Sequence, residues 1–146
     1  MASEPSKKRL LVESDFLFGL RKSDPFHRSI IRSLDMHRNG AIKISVLSSA
    51  IMEVRTVLYS RALKLGQIED VLSLMDEGLN DYKVTTYVPV KITDGVLAER
   101  LRTLFPKLTF FDSLHAAISK RLDSAILSSD PIYKEIGVSS FNYNEL

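Results

Sequence analysis

Short apolar runs alternate along the chain with longer stretches of helical period. Arg9-Leu10-Leu11-Val12-Glu13 is an apolar run stopped by Ser14-Asp15, the pattern of a buried strand. Phe16, Phe18 and Leu20 then predict a short helix. Ser23-Asp24-Pro25 is a helix-start signal, with proline where a missing N–H costs nothing, and this helix runs to about Arg38 before the Asn39-Gly40 turn. Ile42, Ile44 and Val46 predict a second strand. A long helix capped by Ser48 or Ser49 carries Ile51, Val54, Leu58, Ala62 and Leu65 at helical spacing. Gly66 interrupts it, and Ile68 to Leu79 continue with Val71, Leu72 and Met75 on one face, completing a helical hairpin.

Val84-Thr85-Thr86-Tyr87-Val88 is rich in β-branched and aromatic residues and predicts a third strand, closed by Pro89. Thr93-Asp94 caps a helix bearing Val96, Leu97, Leu101 and Leu104, which stops before Pro106. Asp112-Ser113 opens another, with Leu114, Ala117, Ile118 and Leu122. A fourth strand, Ser124-Ala125-Ile126-Leu127, ends at Ser128-Ser129-Asp130. A short helix from Pro131 and a weak strand near Phe141 close the pattern. Strands alternate with helices and no hairpin signal joins two of them, so the strands are parallel and linked by crossovers. The expected fold is a three-layer α/β/α sandwich around a mostly parallel four- or five-stranded sheet, one domain over 9–146 behind a flexible leader, 1–8.

Composition narrows the chemistry without naming it. The 146 residues include 20 Lys+Arg, 18 Asp+Glu and no Cys, with 45% apolar and 26% charged positions, a globular balance. The missing cysteines exclude disulfides, thiolate zinc sites and cysteine nucleophiles. The opening residues lack the apolar core of a signal peptide and no stretch is apolar enough to cross a membrane, so a cytoplasmic protein with no membrane contact is expected. A formal charge of +2, with its basic residues scattered, does not by itself predict a nucleic-acid partner. No GxGxxG, Walker A or Ser/His/Asp arrangement is present, which leaves dinucleotide, NTP and acyl-transfer chemistry unsupported.

In an open α/β sheet the functional crevice lies beyond the carboxyl ends of the strands. Asp15 follows the first strand, Glu53 lies one turn into the helix after the second, Asp112 opens the helix leading to the fourth, and Asp130 closes that strand. Converging carboxylates repel, so some take up protons unless a cation joins them. Oxygen donors without His or Cys select Mg²⁺ or Mn²⁺, which activates water and offsets phosphodiester charge. Asp15, Asp112 and Asp130 also read as helix caps or turn residues, and Glu53 as a rim residue of an apolar face. The argument rests on the four together. His115, one turn after Asp112, is placed to reach the rim or to pack as a structural histidine. Arg21, Lys22, Arg28, Arg32, Lys120 and Arg121 flank the acids as phosphate contacts or as solvated helix faces. Phe16, Phe18, Phe110 and Phe111 adjoin apolar runs and read as core.

These residues resemble a known family. Val12-Glu13-Ser14-Asp15-Phe16-Leu17-Phe18-Gly19-Leu20 with Asp24-Pro25-Phe26-His27, Ser48-Ser49-Ala50-Ile51-Met52-Glu53-Val54, Phe111-Asp112-Ser113-Leu114-His115-Ala116-Ala117-Ile118-Ser119, and Ile126-Leu127-Ser128-Ser129-Asp130 with Ile132-Tyr133 are similar, in order, to the motifs of PIN domains, more narrowly the VapC-type toxin ribonucleases. The resemblance spans roughly 9–137. It implies a PIN-type α/β/α sandwich and a Mg²⁺- or Mn²⁺-dependent endoribonuclease with Asp15, Glu53, Asp112 and Asp130 as its catalytic, metal-holding acids. It also implies an RNA substrate, a small antitoxin partner and a homodimer. The chain departs from the pattern at Phe16, where the family usually has Thr or Ser after its first aspartate. Ser14 and Ser128 are the candidates to supply that hydroxyl. Three alternatives stand beside this reading. A catalytically inert PIN scaffold would serve as a binding module, and a housekeeping PIN nuclease would process RNA. A receiver-like signalling domain is the third, and the absence of an acid after Tyr87-Val88-Pro89 counts against it.

Overall fold

The computed structural model describes residues 7–146, so the first six residues of the expected leader lie outside it. Five strands form one sheet: β1 (Lys8–Val12), β2 (Ile42–Leu47), β3 (Tyr87–Val88), β4 (Ala125–Leu127) and β5 (Ser140–Phe141). Lys8, assigned to the leader from its charge, begins the first strand. The sheet order is β3-β2-β1-β4-β5 and every pairing is parallel. Leu10, Leu11 and Val12 point alternately to opposite faces, yet all three are fully buried, so helices cover both sides of the sheet. The α/β sandwich is as the patterning predicts.

Helix α1 (Ser14–Phe18) leaves β1 directly, and α2 (His27–Arg38) leads to β2. Helices α3 (Ser48–Ser60) and α4 (Leu65–Asp81) form the hairpin, and α5 (Ile92–Leu104) and α6 (Phe110–Leu122) pack together before β4. A short α7 (Ile132–Glu135) precedes β5, and a closing 3-10 turn follows at Tyr143–Glu145.

The helix ends differ from the sequence expectation for one recurring reason. Helix α3 stops at Ser60 and does not run on to Leu65, because Leu63 N–H bonds back to the Leu58 carbonyl and Ala62 N–H to that of Tyr59, with Ala62 at φ 61°. That is a Schellman closure built on a left-handed alanine. Gly66 then lies inside α4 and interrupts nothing. The same closure, built on Lys83 (φ 61°), consumes the first part of the expected third strand, so only Tyr87 and Val88 pair with β2. Asp123 (φ 48°) ends α6 likewise. A left-handed conformation costs a non-glycine residue about 1–2 kcal/mol. Ala62→Gly is therefore expected to stabilise the protein by about 0.5–1 kcal/mol, after allowing for glycine's larger unfolded-state entropy. Equilibrium urea unfolding reads this directly, and an unchanged or lower midpoint contradicts it.

Two helix starts lie upstream of the acids that were read as their caps. Lys91 and Thr109 are the N-cap residues of α5 and α6, and Asp94 and Asp112 occupy the third helical position of each. Asp94, 2% exposed, accepts the Lys91 N–H at 2.8 Å and Arg121 Nε at 2.7 Å, pinning α5 to α6. Arg121 is thereby held against Asp94 and the Pro89 carbonyl. Phe16 is buried as expected, but Phe110 is 45% exposed and is not core. Among the described residues no helix is long and apolar enough to cross a membrane.

Candidate active site

Strand order reverses at β1, which pairs with β2 on one side and β4 on the other. A cleft of about 470 Å³ opens at this switch point, beyond the carboxyl ends of the strands. Glu13, Ser14, Asp15, Glu53, Thr109, Asp112, Ser129 and Asp130 line it. All four acids singled out from the sequence are thus brought together, and a fifth carboxylate, Glu13, joins them.

Asp15 stands in the first turn of α1, but it does not act as a helix cap. Its Oδ2 accepts the Ser129 N–H at 3.0 Å and the Ser129 hydroxyl at 2.7 Å, with the Ser128 hydroxyl at 3.2 Å. Its Oδ1 is buried with no hydrogen-bond donor. Burial, reinforced by the charge of Glu13, raises the Asp15 carboxyl to about 6 against the pull of the Ser129 donors. Of the two serines named as candidates, the hydroxyl of Ser128 reaches Asp15 and that of Ser14 goes to Glu53. Ser129, which sequence reasoning did not single out, provides the shorter bond, while the Phe16 ring packs near Tyr143 at 6.2 Å in the core.

Glu53 projects from α3 half-buried and accepts the hydroxyl of Ser14. Burial raises its pKa, helped by the charges of Glu13 and Asp112 and opposed by Ser14 and His115. Asp112 shares a capping box with Thr109: its N–H donates to Thr109 Oγ1 at 3.1 Å, while its carboxylate draws only a 3.4 Å contact from the Thr109 N–H. The cap is weakly held, so the carboxylate is left for the cleft. Burial, with Glu13 and Asp130 nearby, raises the Asp112 pKa as well. Asp130 is exposed at the rim, where its Oδ1 accepts the Ile132 N–H at 2.9 Å in a local turn.

Glu13 is the residue that the sequence reading passed over, because an acid ending an apolar run looks like the strand's stop. The available signal was its place, the first position beyond the carboxyl end of a buried parallel strand. It is 4% exposed. Burial alone would raise its pKa, but hydrogen bonds and charge from His115, with further bonds from Tyr133 and Ser128, outweigh that and hold it low. His115 is fully buried beneath the cleft and does not reach the rim; its Nδ1 donates to Glu13 Oε2 at 2.9 Å. Ser128, also below the surface, donates to Glu13 Oε1 at 2.7 Å.

The donor set fits a hard divalent cation. Five carboxylates share one cleft, three of them have pKa values raised by burial and mutual repulsion, and one buried carboxylate oxygen lacks any donor. A cation relieves all three costs, and oxygen ligands favour Mg²⁺ or Mn²⁺. Glu13, Glu53 and His115 also bring one potential ligand atom each within 4.8 Å of one another.

No protein-family model and no curated protein sequence matches the chain. Solved structures do. VapBC2 from Rickettsia felis, bound to a DNA fragment from its promoter, superposes with a TM-score of 0.70 at 14% identity, covering 92% of this chain and 98% of the other. FitAcB from Neisseria gonorrhoeae gives 0.62 at 16% identity, over 94% and 99%. VapC20 from Mycobacterium tuberculosis, a sarcin-ricin loop cleaving toxin, gives 0.60 at 15% identity, over 88% and 95%. Five parallel strands in this order, an acid-lined cleft at the switch point and these full-length superpositions together give the chain the fold of the VapC-type PIN domains.

Proposed function

We propose that this chain is a Mg²⁺- or Mn²⁺-dependent endoribonuclease and the toxin of a toxin–antitoxin pair, working in the cytoplasm as a homodimer restrained by a small antitoxin. The observation that carries the reading is the gathering of Asp15, Glu53, Asp112 and Asp130 at one cleft, with Asp15 Oδ1 buried and unpaired. The fold relatives support it: VapC20 cleaves the sarcin-ricin loop, and VapBC2 was solved as a complex bound to DNA.

Asp15, Glu53, Asp112 and Asp130 would hold the ion. Once bound, it supplies positive charge against the scissile phosphate and makes a water acidic enough to serve as nucleophile near neutral pH. The chain's own groups do the rest. Ser129 fixes the Asp15 carboxylate through its Oδ2. Ser14 orients Glu53, and the Thr109 box holds Asp112 on the opposite wall. The acids alone repel an RNA backbone, so substrate binding needs the ion in place and the exposed Arg21, Lys22 and Arg28 on the flank.

The test is incubation of the purified protein with RNA and Mn²⁺ or Mg²⁺. Discrete fragments that vanish with EDTA are expected, together with growth arrest on expression that a small protein encoded beside this one relieves. Intact RNA with both ions across varied substrates defeats the proposal and favours an inert binding scaffold.

A further inference from the structure

Of the seven phenylalanines only two are exposed, Phe26 at 40% and Phe110 at 45%. Both stand at the cleft end of the molecule. Helix α2 runs back to the start of β2 and α6 to the start of β4, so the amino terminus of each lies beyond the carboxyl ends of the strands. Phe26 is the N-cap residue of α2 and Phe110 the first residue of α6. The crossovers that carry these helices run in opposite directions across the sheet, and right-handed connection then sets them on opposite faces. One ring therefore stands on each side of the acids.

Each ring is braced. Phe110 meets Phe111 edge-on, with centroids 5.6 Å apart, and Thr109 and Asp112, which bound this pair, line the cleft. Phe26 packs on Tyr143 at 5.5 Å, and Tyr143 on Phe16, the residue after Asp15, at 6.2 Å. The turn before α2 is closed by the Phe26 N–H on Asp24 Oδ1 at 2.8 Å and by His27 Nδ1–H on the Gly19 carbonyl at 2.9 Å. Arg21, Lys22 and Arg28 are exposed on this turn and the first turn of α2. A fixed, solvent-facing ring beside cationic side chains is what an unstacked base and its phosphates need.

We propose that Phe26 and Phe110 are stacking platforms for two RNA bases that flank the scissile phosphate, one on each wall of the cleft. The bases splay apart onto the two rings, and the phosphate between them is presented to the acids. Stacking of this kind tolerates any base, because every base has a π-face, and it excludes a duplex, whose bases stack on one another. Arg21, Lys22 and Arg28 then contact the backbone that continues past Phe26.

The inference rests on the nuclease reading for its substrate, and paired deletion of ring and base tests it. Phe26→Leu and Phe110→Leu keep apolar bulk against Tyr143 and Phe111 and remove the ring. Each is expected to raise KM for a single-stranded oligoribonucleotide about tenfold with kcat within about threefold of wild type, and Phe26→Trp and Phe110→Trp to leave KM near that of wild type. Tyr59→Leu, near the far end of α3, should change neither constant. For each ring, an abasic nucleotide at one position flanking the cut should cost wild type about tenfold and the leucine variant nothing further. Losses of ring and base that add at every position overturn the proposal, as does a KM within about twofold of wild type in either leucine variant. A fall in kcat in place of a rise in KM also overturns it, and assigns the rings to supporting the acids. If wild type leaves RNA uncut, the nuclease reading fails, and equilibrium affinities of the intact and abasic strands with Mg²⁺, taken through the same cycle, still decide the stacking.

Discussion

Asp112→Asn is expected to lower RNA cleavage by roughly 10²–10⁴-fold, leaving fold and thermal midpoint nearly unchanged. The capping side of Asp112 tolerates the change, because its backbone N–H still donates to Thr109 Oγ1 and its own carboxylate contributes only the 3.4 Å contact. The cleft side does not, since an amide has lost the charge that a divalent ion requires. An ion that contributes several kcal/mol of transition-state stabilisation corresponds, at 1.36 kcal/mol per tenfold, to that range of rate. Single-turnover cleavage with saturating Mn²⁺ measures it, with circular dichroism as the folding control. Cleavage within a few-fold of wild type removes Asp112 from the reaction.

Asp15→Asn should trade activity for stability. The folded Asp15 carboxyl titrates at about 6, above its ordinary 3.8, so between those values the folded protein binds more protons than the unfolded chain. The stability tied to that proton is fully present below about pH 4 and is lost as pH rises through 6. Above pH 7, without a cation, the charged group costs about 2–3 kcal/mol, taking 1.36 kcal/mol per pH unit. Asparagine removes the charge and fits the existing donors: its carbonyl takes the place of Oδ2 beneath Ser129, and its NH₂ occupies the donorless position of Oδ1. Melting of EDTA-treated protein at pH 7.5 should shift up by about 4–8 °C in the variant, and the gain should shrink toward zero at pH 4.5. Mg²⁺ should raise the midpoint of wild type at pH 7.5 and leave the variant unmoved. A variant that melts lower at pH 7.5, or a gain independent of pH, contradicts the burial of an uncompensated charge at Asp15.

The sheet and the site were legible to different depths. Strands β1, β2 and β4 were plain because fully buried parallel strands are short apolar runs, and the acids just beyond them mark the crevice end without any knowledge of contacts. Asp15 was read as a possible cap, yet its partner is the Ser129 loop, a pairing that no local pattern announces, whereas Asp112 does share in a cap, the box with Thr109 three residues earlier. Ser129 was missed for the same reason: its function lies 114 residues away in the chain. Glu13 has a fainter local signal. It is followed at once by Ser14, an acid–hydroxyl order that Asp15-Phe16 lacks, but its burial depends on three donors brought from elsewhere. The helix ends at Ala62, Lys83 and Asp123 were illegible because left-handed closure normally advertises itself with glycine. Phe110 reads as core in an apolar run and is exposed because α6 begins there and turns its first residue outward.

Crystals equilibrated with Mn²⁺ and measured at an anomalous wavelength examine the acid cleft most directly. A strong peak is expected in the cleft beyond the ends of β1 and β4, against the Asp15 carboxylate and bounded by Glu53, Asp112 and Asp130. An empty cleft at saturating Mn²⁺, or a peak elsewhere on the surface, contradicts a cation site at the switch point.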